Sequence, residues 1–313
     1  MVGRARACVS ASWVREDDTV IRLVIDTDIG TDVDDLWTLA MVPGLPTIEL
    51  EAVTVVYGDT DLRARLASVA LSTLGLDVPV YRGCEQPMSG KTVVWGGHEG
   101  EGVPGINEAS YASGDAVDVL IELAASEPRT LDVLAIGPLT NIATVIRRDP
   151  SFARNVRRLF VMGGEFQAGW PEHNFACDVE AADIVMRSGA AITVIPLDQT
   201  LRVAVDETDV DCIAAAHPLG EVMADQARRF WQWLSTLRPG MPNDRSWAHD
   251  PLTLLAVTHP HLFTFTPMAV TVEADGRVRG TLDGSSTVEV ATDLDVDRAH
   301  GAFLQTLGVG TGR

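Results

Sequence analysis

The sequence predicts an α/β fold, a single domain whose mainly parallel, Rossmann-like sheet is flanked by helices. Three observations carry this. Short apolar runs alternate with segments of helical periodicity from Ile21 to Ile195, the layout of repeated strand–helix–strand units. The first apolar run ends in a loop crowded with aspartates, and open α/β sheets bind their ligands at the carboxyl ends of strands. The chain has 313 residues, 46% of them hydrophobic and 22% charged, enough to bury a sizeable core and too apolar for wholesale disorder.

Ile21–Ile25 reads as the first strand, ending in the acidic loop Asp26–Asp35. Leu36–Val42 starts a helix that Pro43-Gly44 stops. Glu49–Tyr57 is the second strand, Leu62–Leu74 its crossover helix and Val78–Tyr81 a short strand. The Gly- and Pro-rich stretch from Gly83 to Gly105 has no periodicity and reads as a long loop, a feature often tied to function. Ala116–Ala125 is a helix, Leu131–Ile136 a strand ending at Gly137-Pro138, and Asn141–Arg148 the next helix. Leu159–Met162 is a strand ending at Gly163-Gly164, Ala181–Ser188 a helix, and Ala191–Ile195 again a strand. After Asp206 the pattern turns helical, longest over Val222–Leu237, and Pro239-Gly-Met-Pro-Asn243 breaks it. Another helix begins after His249-Asp250-Pro251, and Ala269–Val290 alternates like a hairpin around Asp275-Gly276. Residues 1–20 read as a flexible extension ahead of one catalytic domain over residues 21–313.

Charge narrows the partners. With 44 acidic and 24 basic residues the formal charge is −20, which argues against a nucleic-acid binder and against docking on anionic lipid. Lys91 is the only lysine. Cys8, Cys84, Cys177 and Cys212 are far apart and form no zinc knuckle. No apolar run approaches the roughly 20 residues of a membrane span, and the N-terminus lacks the apolar core of a signal peptide, so a cytoplasmic protein is expected.

The informative stretch is Val24-Ile-Asp-Thr-Asp-Ile-Gly-Thr-Asp-Val-Asp-Asp-Leu36, with five aspartates within ten residues. Such a cluster repels itself unless a cation or water compensates it, and all-oxygen ligands favour calcium or magnesium. The plainer alternative is a solvated turn in which Asp34 and Asp35 favour a helix dipole. An EF-hand fails on spacing. Its sixth and twelfth positions hold Thr31 and Trp37 counted from Asp26, and Val33 and Leu39 counted from Asp28. A magnesium phosphohydrolase of the haloacid dehalogenase type also starts with Asp-x-Asp, but the phosphate-holding lysine would have to be Lys91.

The loop resembles the signature of the inosine–uridine-preferring nucleoside hydrolase family, Asp-x-Asp-x-Gly-x-Asp-Asp. Asp26-Thr-Asp28-Ile-Gly30 matches its first half and Asp34-Asp35 its second, with two extra residues between them. Similar segments follow in order: Val53-Thr-Val-Val-Tyr-Gly58-Asp59, Ala135-Ile-Gly-Pro-Leu-Thr-Asn-Ile-Ala143, Val161-Met-Gly-Gly164, Glu172-His-Asn174-Phe-Ala-Cys-Asp178 and His249-Asp250-Pro251.

The resemblance implies a nucleoside hydrolase fold and hydrolysis of the N-glycosidic bond of a ribonucleoside to ribose and free base. The reaction would pass through an oxocarbenium-like transition state. It implies a calcium ion held by Asp28, Asp35, Asp250 and the main-chain carbonyl of Ile136, with Asp28 as base on the metal-bound water. Asp34, Glu172, Asn174 and Asp250 would bind the substrate, with Asp32 an alternative to Asp34 for the ribose. Asp26 is expected to support the loop. His249 matches a histidine that protonates the leaving base, against the alternative of a hydrogen-bonded structural residue. His98, in Gly96-Gly-His-Glu-Gly-Glu-Gly102, resembles an active-site loop histidine. Trp247, in a loop, is the candidate to stack on the base, whereas Phe230 and Trp233 read as core. Asp250 also suits a helix N-cap with Pro251 first in the helix. The segment from Gly164 to Glu172 is shorter than in typical members, and Asp59 stands where many have Asn, which leaves a 5′-substituted nucleoside open. A homodimer or homotetramer is implied. The rival readings are the magnesium phosphohydrolase and a non-catalytic calcium- or ribose-binding homologue.

Overall fold

The computed structural model describes residues 20–238, 240 and 244–310. All but Val20 of the expected N-terminal extension therefore lies outside the described residues, as does most of the 239–243 breaker.

The chain opens with β1 (Ile21–Thr27), α1 (Asp34–Met41), β2 (Ile48–Val55), α2 (Thr60–Thr73), β3 (Val80–Arg82) and α3 (Ala116–Ser126). It continues through β4 (Leu131–Ala135), α4 (Thr140–Arg148), a short α5 (Phe152–Asn155), β5 (Arg158–Met162), α6 (His173–Cys177), α7 (Val179–Met186) and β6 (Ile192–Ile195). Next come α8 (Leu197–Thr200), β7 (Ala204–Asp206), α9 (Glu207–Ala216), α10 (Gly220–Leu237), β8 (Arg245–Trp247) and α11 (His249–Thr258). The last elements are β9 (Phe263–Val272), β10 (Val278–Leu282), β11 (Val288–Leu294) and α12 (Val296–Thr306).

Nine strands form one sheet in the order β10-β9-β11-β6-β5-β4-β1-β2-β3, parallel from β11 to β3. The strands are near-continuous apolar runs because helices cover both faces. Within β1, Leu23 and Ile25 enter the core shared with α1, α10, α11 and α12, while Val24 enters the core beneath α3, α4 and α7. From β1 the chain winds outward to β2 and β3, then returns to lay β4 on the other flank of β1. This reversal places a crevice at the carboxyl ends of β1 and β4, where such folds bind ligands.

Several expectations shift in detail. β1 runs on to Thr27, so Asp26 is a strand residue paired with Thr54 and Ala135, and the free loop starts at Asp28. α11 starts at His249 with Ala248 in the cap position, so Asp250 is its second residue and caps nothing. Trp247 lies in β8, paired with Ala204, and not in a loop. The hairpin is present as β9–β10, and β11 joins it to the parallel sheet. The Gly83–Gly105 stretch has neither helix nor strand, as expected.

Candidate active site

The loop after β1 delivers its carboxylates to the switch point. α1 begins at Asp34, so Asp34 and Asp35 both occupy its first turn, where the dipole favours negative charge. Asp250 arrives from the first turn of α11, and its backbone N–H donates to Asp34 Oδ2 at 3.4 Å across 216 residues of sequence. One oxygen from each of Asp34, Asp35 and Asp250 lies within 4.8 Å of the others, and all three residues are buried. Burial, reinforced by neighbouring aspartates (Asp32 and Asp28 on Asp34, Asp28 and Asp34 on Asp35, and Asp34, Asp35 and Asp28 on Asp250), pushes all three carboxyls well above the ordinary carboxylate range. Three dry carboxylates this close repel strongly, and a hard dication is the chemical species that relieves them. The donor set therefore fits the implied ion.

Asp28 is not one of the tight three. It is half-buried, and its charge acts on each of them. The helix start brings Asp34 beside Asp35 and Asp250. Asp28 instead packs on Gly137, where an added Cβ would lie 2.9 Å from both its backbone N and Oδ1. Asp32 accepts from Val33 N at 2.6 Å and Ser246 Oγ at 3.4 Å, and burial pushes it up to about 7.

The floor is the end of β4. The carbonyl of Ile136 accepts from Asn174 Nδ2 at 3.0 Å, and the same nitrogen reaches the Met162 carbonyl at 3.2 Å. Glu172 caps α6: its carboxylate accepts from the amides of Asn174, Gly164 and Phe175 at 2.8, 3.0 and 3.1 Å. Both residues thus fasten α6 to the ends of β4 and β5, beside the acidic cluster.

The Gly-rich loop closes one side. His98 Nε2 lies 2.9 Å from the Thr31 carbonyl, its Nδ1 is buried without a partner, and its ring tilts against Trp233. Glu99 ties Gly96, Gly97 and Thr31 together. Trp247 and His249 stand 6.2 Å apart, centroid to centroid. His249 Nδ1 is 2.6 Å from Thr200 Oγ1, and burial pushes the ring down to about 4, so it is neutral at pH 7. Phe230 is core as expected, and Trp233 packs on it. Asp59 is an exposed cap of α2, accepting from Leu62 N at 3.0 Å.

Sequence reasoning missed the groups beneath the site. Thr27 donates to Asp35, a role hinted at only by a hydroxyl between two motif aspartates. Arg63 is 1% exposed, donating to the Tyr57 and Ile29 carbonyls at 2.6 and 2.8 Å with Trp95 stacked over it. Its charge lowers Asp35. Asp26 accepts from Thr54 and Asn141 at 2.5 and 2.7 Å, consistent with the supporting role expected of it.

Residues 23–301 match the family described as "Inosine-uridine preferring nucleoside hydrolase". The chain is 31% identical to the probable uridine nucleosidase 1 of Oryza sativa subsp. japonica, over 83% of each sequence. It is 27% identical to the pyrimidine-specific ribonucleoside hydrolase RihA of Salmonella typhimurium, over 82% of this chain and 85% of that one. Among solved structures, the plant nucleoside hydrolase PpNRh1 superposes with a TM-score of 0.83 at 25% identity, covering 92% of this chain and 98% of that one. The purine-preferring ribonucleoside hydrolase from Gardnerella vaginalis gives 0.79 at 27% identity, over 91% and 98%.

Proposed function

This chain belongs to the inosine-uridine preferring nucleoside hydrolase family, and on that premise we propose that it hydrolyses a ribonucleoside with calcium as cofactor. Cleavage of the N-glycosidic bond of a ribonucleoside is the family's reaction, so the chain is an N-glycosyl hydrolase. The observation that carries the calcium reading is the convergence of Asp34, Asp35 and Asp250 in one buried group.

In this proposal Asp35 and Asp250, with Asp28 and the Ile136 carbonyl, hold the ion, and Asp34 stands close enough to join them. A divalent cation there supplies charge that orients sugar hydroxyls and acidifies water. Asp28, the more exposed carboxylate, takes the proton of the attacking water. Glu172, Asn174 and whichever of Asp34 and Asp32 faces the sugar bind ribose hydroxyls, and the cluster's residual negative charge stabilises the oxocarbenium-like transition state. Trp247, His98 and His249 line the base end. The sugar needs no arginine clamp, which suits a chain of net charge −20.

The phosphohydrolase alternative needed Lys91, whose Nζ instead donates to the Ala176 carbonyl at 2.7 Å, and the family match closes that reading. No helix among the described residues is long and apolar enough to cross a membrane. A cytoplasmic homodimer or homotetramer completes the proposal, its assembly open to light scattering. The test is a panel of purine, pyrimidine and 5′-substituted ribonucleosides incubated with calcium and scored by released base. Release from at least one substrate, lost on chelation and restored by calcium, is expected. Ribose or nucleoside binding without any product would select a non-catalytic homologue instead.

A further inference from the structure

The acidic loop from Asp28 to Val33 joins the end of β1 to the start of α1, with Asp34 and Asp35 directly after it. It contains neither helix nor strand, so its path depends on what grips it from outside. Arg63 holds the Ile29 carbonyl near one end, and Asp32 meets Ser246 near the other. The middle residue, Thr31, is gripped twice by consecutive residues of the Gly-rich stretch. His98 Nε2 lies 2.9 Å from its carbonyl, and its hydroxyl donates to Glu99 Oε1 at 2.9 Å. Gly30, at φ +128°, passes so close that an added Cβ would lie 3.6 Å from both Cβ and Cγ of Glu99.

Glu99 is 7% exposed, and both of its oxygens are taken up. Oε1 also accepts from Gly96 N, and Oε2 from Gly97 N, each at 2.6 Å. A carboxylate beside a loop of five aspartates is electrostatically unfavourable, a cost that glutamine would avoid. Glutamine, however, has a single acceptor oxygen, and its amide nitrogen would face a donor on whichever side it took. The geometry calls for acceptors at both positions. The stretch that carries Glu99 is itself fixed to α10. Gln226 Nε2 donates to the Glu101 carbonyl and Arg229 Nη1 to its carboxylate, each at 2.7 Å, and the His98 ring tilts against Trp233. Met223, Ala227 and Trp231 root α10 in the core. Contacts thus run from a buried helix face through Glu99 to the middle of the acidic loop.

We propose that Glu99 is a positioning residue for the metal site: through the Thr31 hydroxyl it holds the acidic loop in the path that calcium binding requires. This rests on the calcium-dependent hydrolase reading above. Groups behind metal ligands fix how those ligands are presented, and losing one costs about 10- to 100-fold in affinity. Glu99 touches neither the carboxylate cluster nor the substrate in this role. It acts on Asp28 and on the start of α1 only through the backbone between them.

The experiment is calorimetric titration of chelator-stripped protein with calcium, alongside base release from a ribonucleoside. Glu99→Gln and Thr31→Val are each expected to weaken calcium binding by about 10-fold. Thr31→Ser, which keeps the hydroxyl, is expected to stay within about threefold of wild type, a rescue that general loosening of the loop would not give. Thermal melting of the metal-free proteins reports that the variants fold; if Glu99→Gln does not, the comparison of Thr31→Val with Thr31→Ser decides. Calcium affinity within about threefold of wild type in either Glu99→Gln or Thr31→Val overturns the positioning role, as does a loss in Thr31→Ser equal to that in Thr31→Val. Wild-type protein that binds no calcium overturns the metal reading, and this proposal with it. Wild-type protein that binds calcium but releases no base overturns the hydrolase reading alone, and the affinities still judge Glu99.

Discussion

Asn141 donates Nδ2 to Asp26 Oδ1 at 2.7 Å, joining the first turn of α4 to the end of β1 across 115 residues of sequence. The same amide reaches the Val55 carbonyl at 3.2 Å, and Asn141 Oδ1 accepts from Cys84 N at 2.8 Å. One side chain therefore ties together β1, β2 and the start of the Gly-rich stretch. Asn141→Ala strands buried partners at all three points and is expected to cost about 3 kcal/mol in urea unfolding. A loss below about 1 kcal/mol would show that water replaces the amide.

Arg63 carries a second expectation. Its guanidinium satisfies two backbone carbonyls under the acidic loop and offsets part of the Asp35 charge. Arg63→Met keeps much of the volume but orphans both carbonyls, with an expected destabilisation of about 3 kcal/mol. Calcium titration of the folded variant should also give weaker affinity, because the Ile29 segment loses its anchor. Unchanged calcium affinity would disconnect Arg63 from the site.

Removing the ion should make stability depend on pH in a defined sense. Asp34, Asp35 and Asp250 are raised well above the usual range, and Asp26 and Asp32 to about 7. Without metal, the folded state thus binds protons more tightly than the unfolded chain. The stabilisation is fully present below the unfolded value of about 4 and is lost as pH rises through the folded values. Tm of chelated protein should fall from about pH 5 to pH 8, and calcium should restore most at the alkaline end. A Tm of the chelated protein that rises over that interval would contradict the cluster's burial.

Gly137 offers a test of Asp28 with little change in charge or chemistry. A Cβ there would sit 2.9 Å from Asp28 N and Oδ1, so Gly137→Ala must displace the aspartate. Misplacing a reacting group by about 1 Å costs on the order of 100-fold, and overpacking costs about 1–3 kcal/mol of stability. The expected variant is folded, with kcat reduced by about 100-fold. Wild-type turnover would remove Asp28 from the reacting centre.

The strands were legible because burial on both faces writes them as apolar runs, and the Asp-rich loop because charge is scarce next to such runs. The support beneath the site was not. Asp26 looks like the first loop residue, and only the side chains of Thr54 and Asn141, distant in sequence, explain its place inside β1. Arg63 lies in an ordinary amphipathic helix, and nothing local distinguishes it from solvated arginines. α5 and α6 are too short to show a period, and β7–β8 pairs two three-residue segments on either side of α9 and α10. The two inserted residues in the acidic loop were visible, but whether Asp32 or Asp34 would stand beside Asp35 depended on where α1 begins.

The rim between β5 and α6 is held through its main chain, with Asp198 accepting from Phe166 N at 3.0 Å and a buried glutamate holding the residues that follow. Glu165, 2% exposed, accepts from the amides of Gln167, Ala168, Gly169 and Trp170 at 2.9, 2.7, 2.5 and 3.2 Å. The path of this segment is therefore set through its main chain, while Trp170 remains 58% exposed. Substitutions at Gln167, Ala168 and Trp170 can alter what the rim presents without redrawing it. Selection, in a cell or in a library, can retune this wall one residue at a time while the carboxylates that perform the reaction stay where they are.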